Sequence, residues 1–137
     1  MGADLRTSID VSATGLRAQS LRMRTIAENI ANADSVSDAP GGDPYRRKVT
    51  TFAAELDRAT GGNEVKVTGI REDQSDFGRI YQPGHPAADE EGYVKTPNVN
   101  SLIETADMKA AQRSYEANIS AVEAARNMTM RTVDMLK

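Results

Sequence analysis

A chain of 137 residues with a formal net charge of −3 and no cysteine is one domain's worth of material, with no disulfide, thiol nucleophile or cysteine-based zinc site. No apolar run approaches the roughly 20 residues needed to span a bilayer, and lysine and arginine are interspersed with aspartate and glutamate, which speaks against membrane embedding and nucleic-acid binding. Leu, Ile, Val and Phe together number 24, a stock too small for a large core of the chain's own, so part of the burial is expected from partners.

From Leu5 to Ala33, apolar residues recur at Ile9, Leu16, Met23 and Ile30, an unbroken spacing of seven, with Leu5 and Ile26 on a flanking row. This predicts a long amphipathic helix of roughly 45 Å at 1.5 Å per residue. Ser12 and Gln19 interrupt the flanking row, so the stripe is narrower than a zipper seam and suits several neighbours better than one. The same stretch holds no apolar signal-peptide core, which predicts either a cytoplasmic chain or export without a cleaved leader.

Residues 35–99 follow the N-terminal segment 1–34 and hold nearly all the glycine and every proline, which predicts loop plus a small β-rich domain. Val65-Lys66-Val67, Arg79-Ile80-Tyr81 and Tyr93-Val94-Lys95 are strand candidates. Gly41-Gly42-Asp43-Pro44 and Gly61-Gly62-Asn63 read as turns, and Thr51 to Ala59 as a short helical turn. Arg46-Arg47-Lys48 is the one basic cluster, expected on an exposed strand that pairs with acidic groups of a neighbouring subunit, with phosphate binding as the alternative.

The C-terminal segment 100–137 repeats the first design. Met108, Tyr115, Val122 and Leu136 share a seven-residue row with Thr129, while Ala111 and Ala125 follow members of that row by three. Ser101-Leu102-Ile103-Glu104 predicts a capping box, the Ser101 hydroxyl accepting from the Glu104 amide and the Glu104 carboxylate reaching back to the Ser101 amide. A helix of roughly 55 Å follows.

Groups that carry chemistry are sparse. His85, the single histidine, stands in Pro83-Gly84-His85-Pro86 and reads as a turn residue with no oriented carboxylate beside it. Asp89-Glu90-Glu91 lacks the alternating ligands and glycine of a calcium loop and reads as a solvated turn. No glycine pattern of a phosphate loop precedes a helix, so no catalytic residue, metal, cofactor or small-molecule substrate is expected.

The run Ile26-Ala27-Glu28-Asn29-Ile30-Ala31-Asn32-Ala33 resembles the N-terminal signature of the bacterial flagellar rod and hook axial proteins. Within that family, Pro44-Tyr45-Arg46-Arg47-Lys48 is similar to the rod branch, as are Gly84-His85-Pro86-Ala87, Gly92-Tyr93-Val94, Pro97-Asn98-Val99 and Arg113-Ser114-Tyr115-Glu116-Ala117-Asn118. Asp34-Ser35 departs from the family's Asn-Thr after the helix. The resemblance implies an α+β fold in which the N- and C-terminal helices pack as an antiparallel coiled-coil-like pair in an inner layer, with the β-rich middle outside. It implies a rod subunit exported unfolded by the flagellar type III apparatus, placed in the periplasmic part of the basal body, with proximal and distal rod subunits and rod-base or MS-ring components as partners. Another axial subunit is the alternative within the family. A helical adaptor or secretion chaperone is the alternative outside it, separated by one-to-one client binding instead of polymerisation.

Overall fold

The computed structural model describes residues 2–56 and 62–136. Helix α1 spans Gly2–Ala31 and helix α2 spans Ser101–Met135, with β1 (Lys48–Leu56), β2 (Asn63–Glu72), β3 (Gly78–Tyr81) and β4 (Tyr93–Thr96) between them. The fold is α+β: two long helices flank a small sheet region of two two-stranded sheets, β1 with β2 and β3 with β4. All three sequence-predicted strands lie within β2, β3 and β4.

The expected helical turn over Thr51–Ala59 is corrected by β1, which continues as strand to Leu56; Asp57–Ala59 lie outside the described residues, as does Gly61 of the second predicted turn. Ala53-Ala54-Glu55-Leu56 favours helix by propensity, but propensity is a weak prior against pairing with a neighbouring strand. Thr51 and Thr68 share a hydroxyl hydrogen bond of 2.9 Å, and Thr51 also donates to the Gly69 carbonyl at 3.2 Å.

The described residues fall into two compact units that do not follow chain order. One takes its residues from Met1–Met23, Thr50–Gly69 and Lys109–Lys137, the other from Arg24–Val49 and Ile70–Met108, so each includes part of both helices.

In the first unit the helices approach closely at Gly15, where an added Cβ would lie 3.0 Å from the Asn118 side-chain amide. The Thr14 hydroxyl accepts from the Val65 amide at 3.2 Å and ties α1 to β2. In the second unit β3 and β4 pair antiparallel, Arg79 opposite Lys95 and Tyr81 opposite Tyr93. Val94 is almost fully buried there. The connection between these strands is closed by its own backbone, with Gln82 donating to the Gly92 carbonyl and Asp89 to that of Tyr93. Gly92 sits at φ 88°, a conformation that glycine adopts without steric cost.

Large apolar side chains are scarce inside the molecule. Among the described residues, the buried apolar ones apart from the prolines Pro44 and Pro97 are Ala18, Ile26, Ala87, Val94, Ala111 and Ala125, four of them alanine, and two of the three largest fully buried side chains, Glu104 and Asn29, are polar. Burial scales with apolar area, so this interior supplies little hydrophobic stabilisation, and its polar groups must find partners.

Candidate assembly site and polar lock

Asn29, in the last turns of α1, is 1 % exposed and uses its whole amide. Its Nδ2 donates to the Lys48 carbonyl (2.8 Å) and to Glu104 Oε2 (3.3 Å), while its Oδ1 accepts from the Tyr45 hydroxyl (2.8 Å) and the Lys48 amide (3.0 Å). A buried amide is tolerable only when so satisfied. Four groups from two distant stretches of chain, 45–48 and the start of α2, therefore meet on one side chain.

Glu104 is fully buried in the first turn of α2, and Arg47 Nε donates to its Oε1. The remaining guanidinium nitrogens reach Asp73 Oδ2 at 3.2 Å and Asp107 Oδ2 at 3.6 Å. Burial works against the Arg47 charge, but the hydrogen bonds and charges of Glu104 and Asp73 outweigh it and hold the guanidinium above its ordinary range. The Asp73 carboxyl is held below the usual carboxylate range, first by the Ser75 backbone amide at 2.9 Å and then, against partial desolvation, by the Ser75 side chain and Arg47. The Tyr45 hydroxyl is pushed up by burial and by the negative charges of Glu28, Glu104 and Glu72. Asn98 completes the frame: its Oδ1 accepts from the Arg47 amide at 2.7 Å and its Nδ2 donates to the Asp73 carbonyl at 2.9 Å.

Two expectations are corrected here. The helix start is capped by Asn100 instead of Ser101, with Asn100 Oδ1 accepting from the amides of Leu102 (3.0 Å) and Ile103 (3.4 Å). The Glu104 carboxylate, expected to reach back to Ser101, is taken by Arg47 and Asn29 because an ion pair in a buried site outweighs one capping bond. Likewise Arg46-Arg47-Lys48 finds its acidic partners inside the chain. Lys48 pairs with Glu28 at 3.6 Å, and Arg46 donates to the Asp73 carbonyl at 3.0 Å while its guanidinium stacks 4.2 Å from the Phe77 ring centre.

The other motif residues are placed as follows. Asn32 Nδ2 donates to the Glu28 carbonyl and its Oδ1 accepts from the Ser35 hydroxyl, closing the end of α1. His85 Nδ1 accepts from the Ala87 amide at 3.0 Å, a turn role, with Gly84 and Pro86 exposed beside it. Asp89 Oδ1 accepts from the amides of Glu91 and Tyr93, so this acidic turn is ordered by its own backbone. The Tyr93 ring meets Tyr81 edge-on at 5.3 Å, and Pro97 is buried. On α2, Arg113 and Glu116 are exposed, while Asn118 faces Gly15. Among the described residues, no group of three His, Asp or Glu side chains is arranged to hold a metal ion.

The helix rows separate by size. Along α2, Glu104, Ala111 and Ala125 are buried and Asn118 half-buried at a strict spacing of seven, and along α1 the buried positions include Ser12, Gly15, Ala18, Thr25, Ile26 and Asn29. Small and polar residues thus face the chain itself. Leu5, Ile9, Leu16 and Met23 of α1 and Met108, Tyr115 and Val122 of α2 are only half-buried, Ile30 is 37 % exposed and Leu136 81 %. Ile26, Ala111 and Ala125 are already covered within the chain. The seven-residue spacing of Glu104, Ala111, Asn118 and Ala125 is a signal in the sequence that the larger apolar row beside it obscures; Asp73 and Asp107 stand within polar runs and carry no signal of their part in the lock.

Of the residues in the lock, Asn29 falls in one segment that a family model matches and Asn98, Glu104 and Asp107 in another, while Tyr45, Arg47, Lys48 and Asp73 lie between them. Residues 9–37 match the model described as flagella basal body rod protein, and residues 90–135 match the C-terminal model of flagellar basal body rod FlgEFG proteins. The two matches, which together cover more than half of the chain, place it among the flagellar basal-body rod proteins. A flagellar basal-body rod protein FlgC from Agrobacterium fabrum is 50% identical over 133 residues, 97% of this chain and 96% of the relative. FlgC of Salmonella typhimurium is 41% identical over 92% of this chain and 93% of the relative, and FlgC of Bacillus subtilis 39% identical over 95% and 97%. The chain belongs to the FlgC family of flagellar basal-body rod proteins and is a structural subunit of the flagellar rod. Among the described residues, no helix is long and apolar enough to cross a membrane.

Proposed function

We propose that this subunit is built into the rod by burying Leu5, Ile9, Leu16, Met23 and Ile30 of α1 and Met108, Tyr115, Val122 and Leu136 of α2 against neighbouring rod subunits, so that the shaft transmits torque from motor to hook. The observation that carries this reading is the division of labour on both helices: with the exception of Ile26, small and polar residues face the chain, and the larger apolar row is only partly covered by it. A row of large apolar side chains left partly exposed along a helix is the kind of surface that partners cover. The close approach at Gly15 and the Asn29–Glu104 bond support an antiparallel, coiled-coil-like pair of terminal helices forming an inner layer, with the sheets outside. Residues 1–34 and 100–137 then serve as the core segments, and 35–99 as the outer domain.

The subunit works by position and stiffness, with no catalysis. It is exported by the flagellar type III apparatus and assembles in the periplasm with proximal and distal rod subunits and with rod-base or MS-ring components. Before assembly its helices are frayed, because helices with open apolar rows take most of their stability from packing. Basal bodies imaged from a host lacking the gene are expected to show rings without a complete rod, restored by the wild-type chain and not by Leu16→Asp or Val122→Asp. A motile strain carrying either substitution would assign assembly to another face.

A further inference from the structure

The sequence around the start of α2 offers Glu104 two partners, and the structure uses one. Ser101-x-x-Glu104 has the spacing of a capping box, in which the carboxylate satisfies the Ser101 amide. In the structure Asn100 caps the helix, Glu104 turns to Arg47 and Asn29, and among the described residues none accepts from the Ser101 amide. We propose that Glu104 is a two-position switch: with Asn29 and Arg47 undocked, its carboxylate caps its own helix through Ser101, and docking of the α1 end draws it into the lock and passes the cap to Asn100.

Each position satisfies what the other leaves open. A carboxylate left in the lock without Arg47 would be a buried, uncompensated charge, and at the helix start it meets free amide donors and the positive end of the helix dipole. In the locked position Asn100 supplies the cap, and the first intrahelical bond runs from the Glu104 amide to the Asn100 carbonyl at 3.0 Å. The helix therefore begins one residue earlier when locked than when boxed. Ordering of the α1 end is read directly at the α2 start, so the two terminal segments of the chain set together.

The test is amide hydrogen exchange on the full chain by nuclear magnetic resonance. In Arg47→Met, the Ser101 amide is expected to exchange about 3-fold or more slowly than in wild type, against the general trend of a destabilised protein, while the Lys48 amide exchanges faster. Adding Glu104→Ala to Arg47→Met should abolish the slowing. Ser101→Pro alone, which removes that amide at a position where proline suits the first helical turn, should keep the helical circular dichroism of wild type. An unchanged or faster Ser101 amide in Arg47→Met, or loss of helix in Ser101→Pro, overturns the switch. Where Arg47→Met lacks the helical signal, Arg47→Lys, which keeps the charge and loses the planar fork, is read in the same way. None of these readouts depends on polymerisation, so failure here is distinct from failure of the assembly reading.

Discussion

Arg47, one residue ahead of β1, holds the carboxylate of Glu104 in the first turn of α2, and that carboxylate is shut off from solvent. The pair joins the middle of the chain to its C-terminal helix at a point where few apolar side chains are available to do so. Removing one partner of a buried pair leaves the other without compensation. Glu104→Ala is expected to cost about 3 kcal/mol of unfolding free energy, measured by urea denaturation, with Arg47→Met costing less if the carboxylate relocates to the helix cap. Equal losses would mean that Glu104 stays where it is.

Asn29 should be nearly as sensitive despite carrying no charge. Asn29→Ala strands the Lys48 amide and carbonyl, the Tyr45 hydroxyl and one oxygen of Glu104, an expected loss of about 2–4 kcal/mol. A shift of the urea midpoint no larger than that of an exposed α1 substitution such as Arg24→Ala would show that water replaces the amide.

Two glycines should respond differently to alanine. At Gly92 the positive φ and the Tyr81 ring, 2.9 Å from where a Cβ would stand, make Gly92→Ala unfavourable by about 1–3 kcal/mol, read as a lower melting temperature. At Gly15 the obstacle is the end of the Asn118 side chain, which can swing aside, and alanine gains about 1 kcal/mol of helix propensity. Gly15→Ala is expected to melt within a few degrees of wild type.

The lock also gives the protein two pH limits. Asp73 has a depressed folded value, so its contribution is complete above the ordinary aspartate value of about 4 and is lost as pH falls through the folded one. Tyr45 has a raised folded value, so its contribution is complete below about 10 and is lost as pH rises through the folded one. Urea midpoints recorded across this range should be flat between the limits. Asp73→Asn should soften the acid limb and Tyr45→Phe the alkaline limb, and limbs unmoved by both substitutions would locate the titrating groups elsewhere.

The long helices were legible because a period of seven persists over thirty or more residues at each end, and β3 and β4 because Arg79-Ile80-Tyr81 and Tyr93-Val94-Lys95 alternate between turn residues. The lock was not legible. Glu104 has a complete local explanation as a capping residue, while its actual partners Arg47 and Asn29 stand 57 and 75 positions away, beyond the reach of any spacing rule. The same reason hid β1: Ala53 and Ala54 favour helix locally, and only the pairing with β2 makes them strand. Arg46-Arg47-Lys48 was visible as a charge cluster, but a sequence cannot say whether its counter-charges come from the same chain.

The 75-residue separation between Asn29 and Glu104 also bears on time. Closing a loop of that length costs roughly 4 kcal/mol of chain entropy before the contact returns anything, whereas single helical turns and hairpins form at little such cost. Non-local contacts of this kind slow folding. The amide and the carboxylate are therefore expected to meet only after the local turns and hairpins have formed, which leaves an interval in which the polypeptide is loosely joined and can still be moved end to end before its shape is fixed.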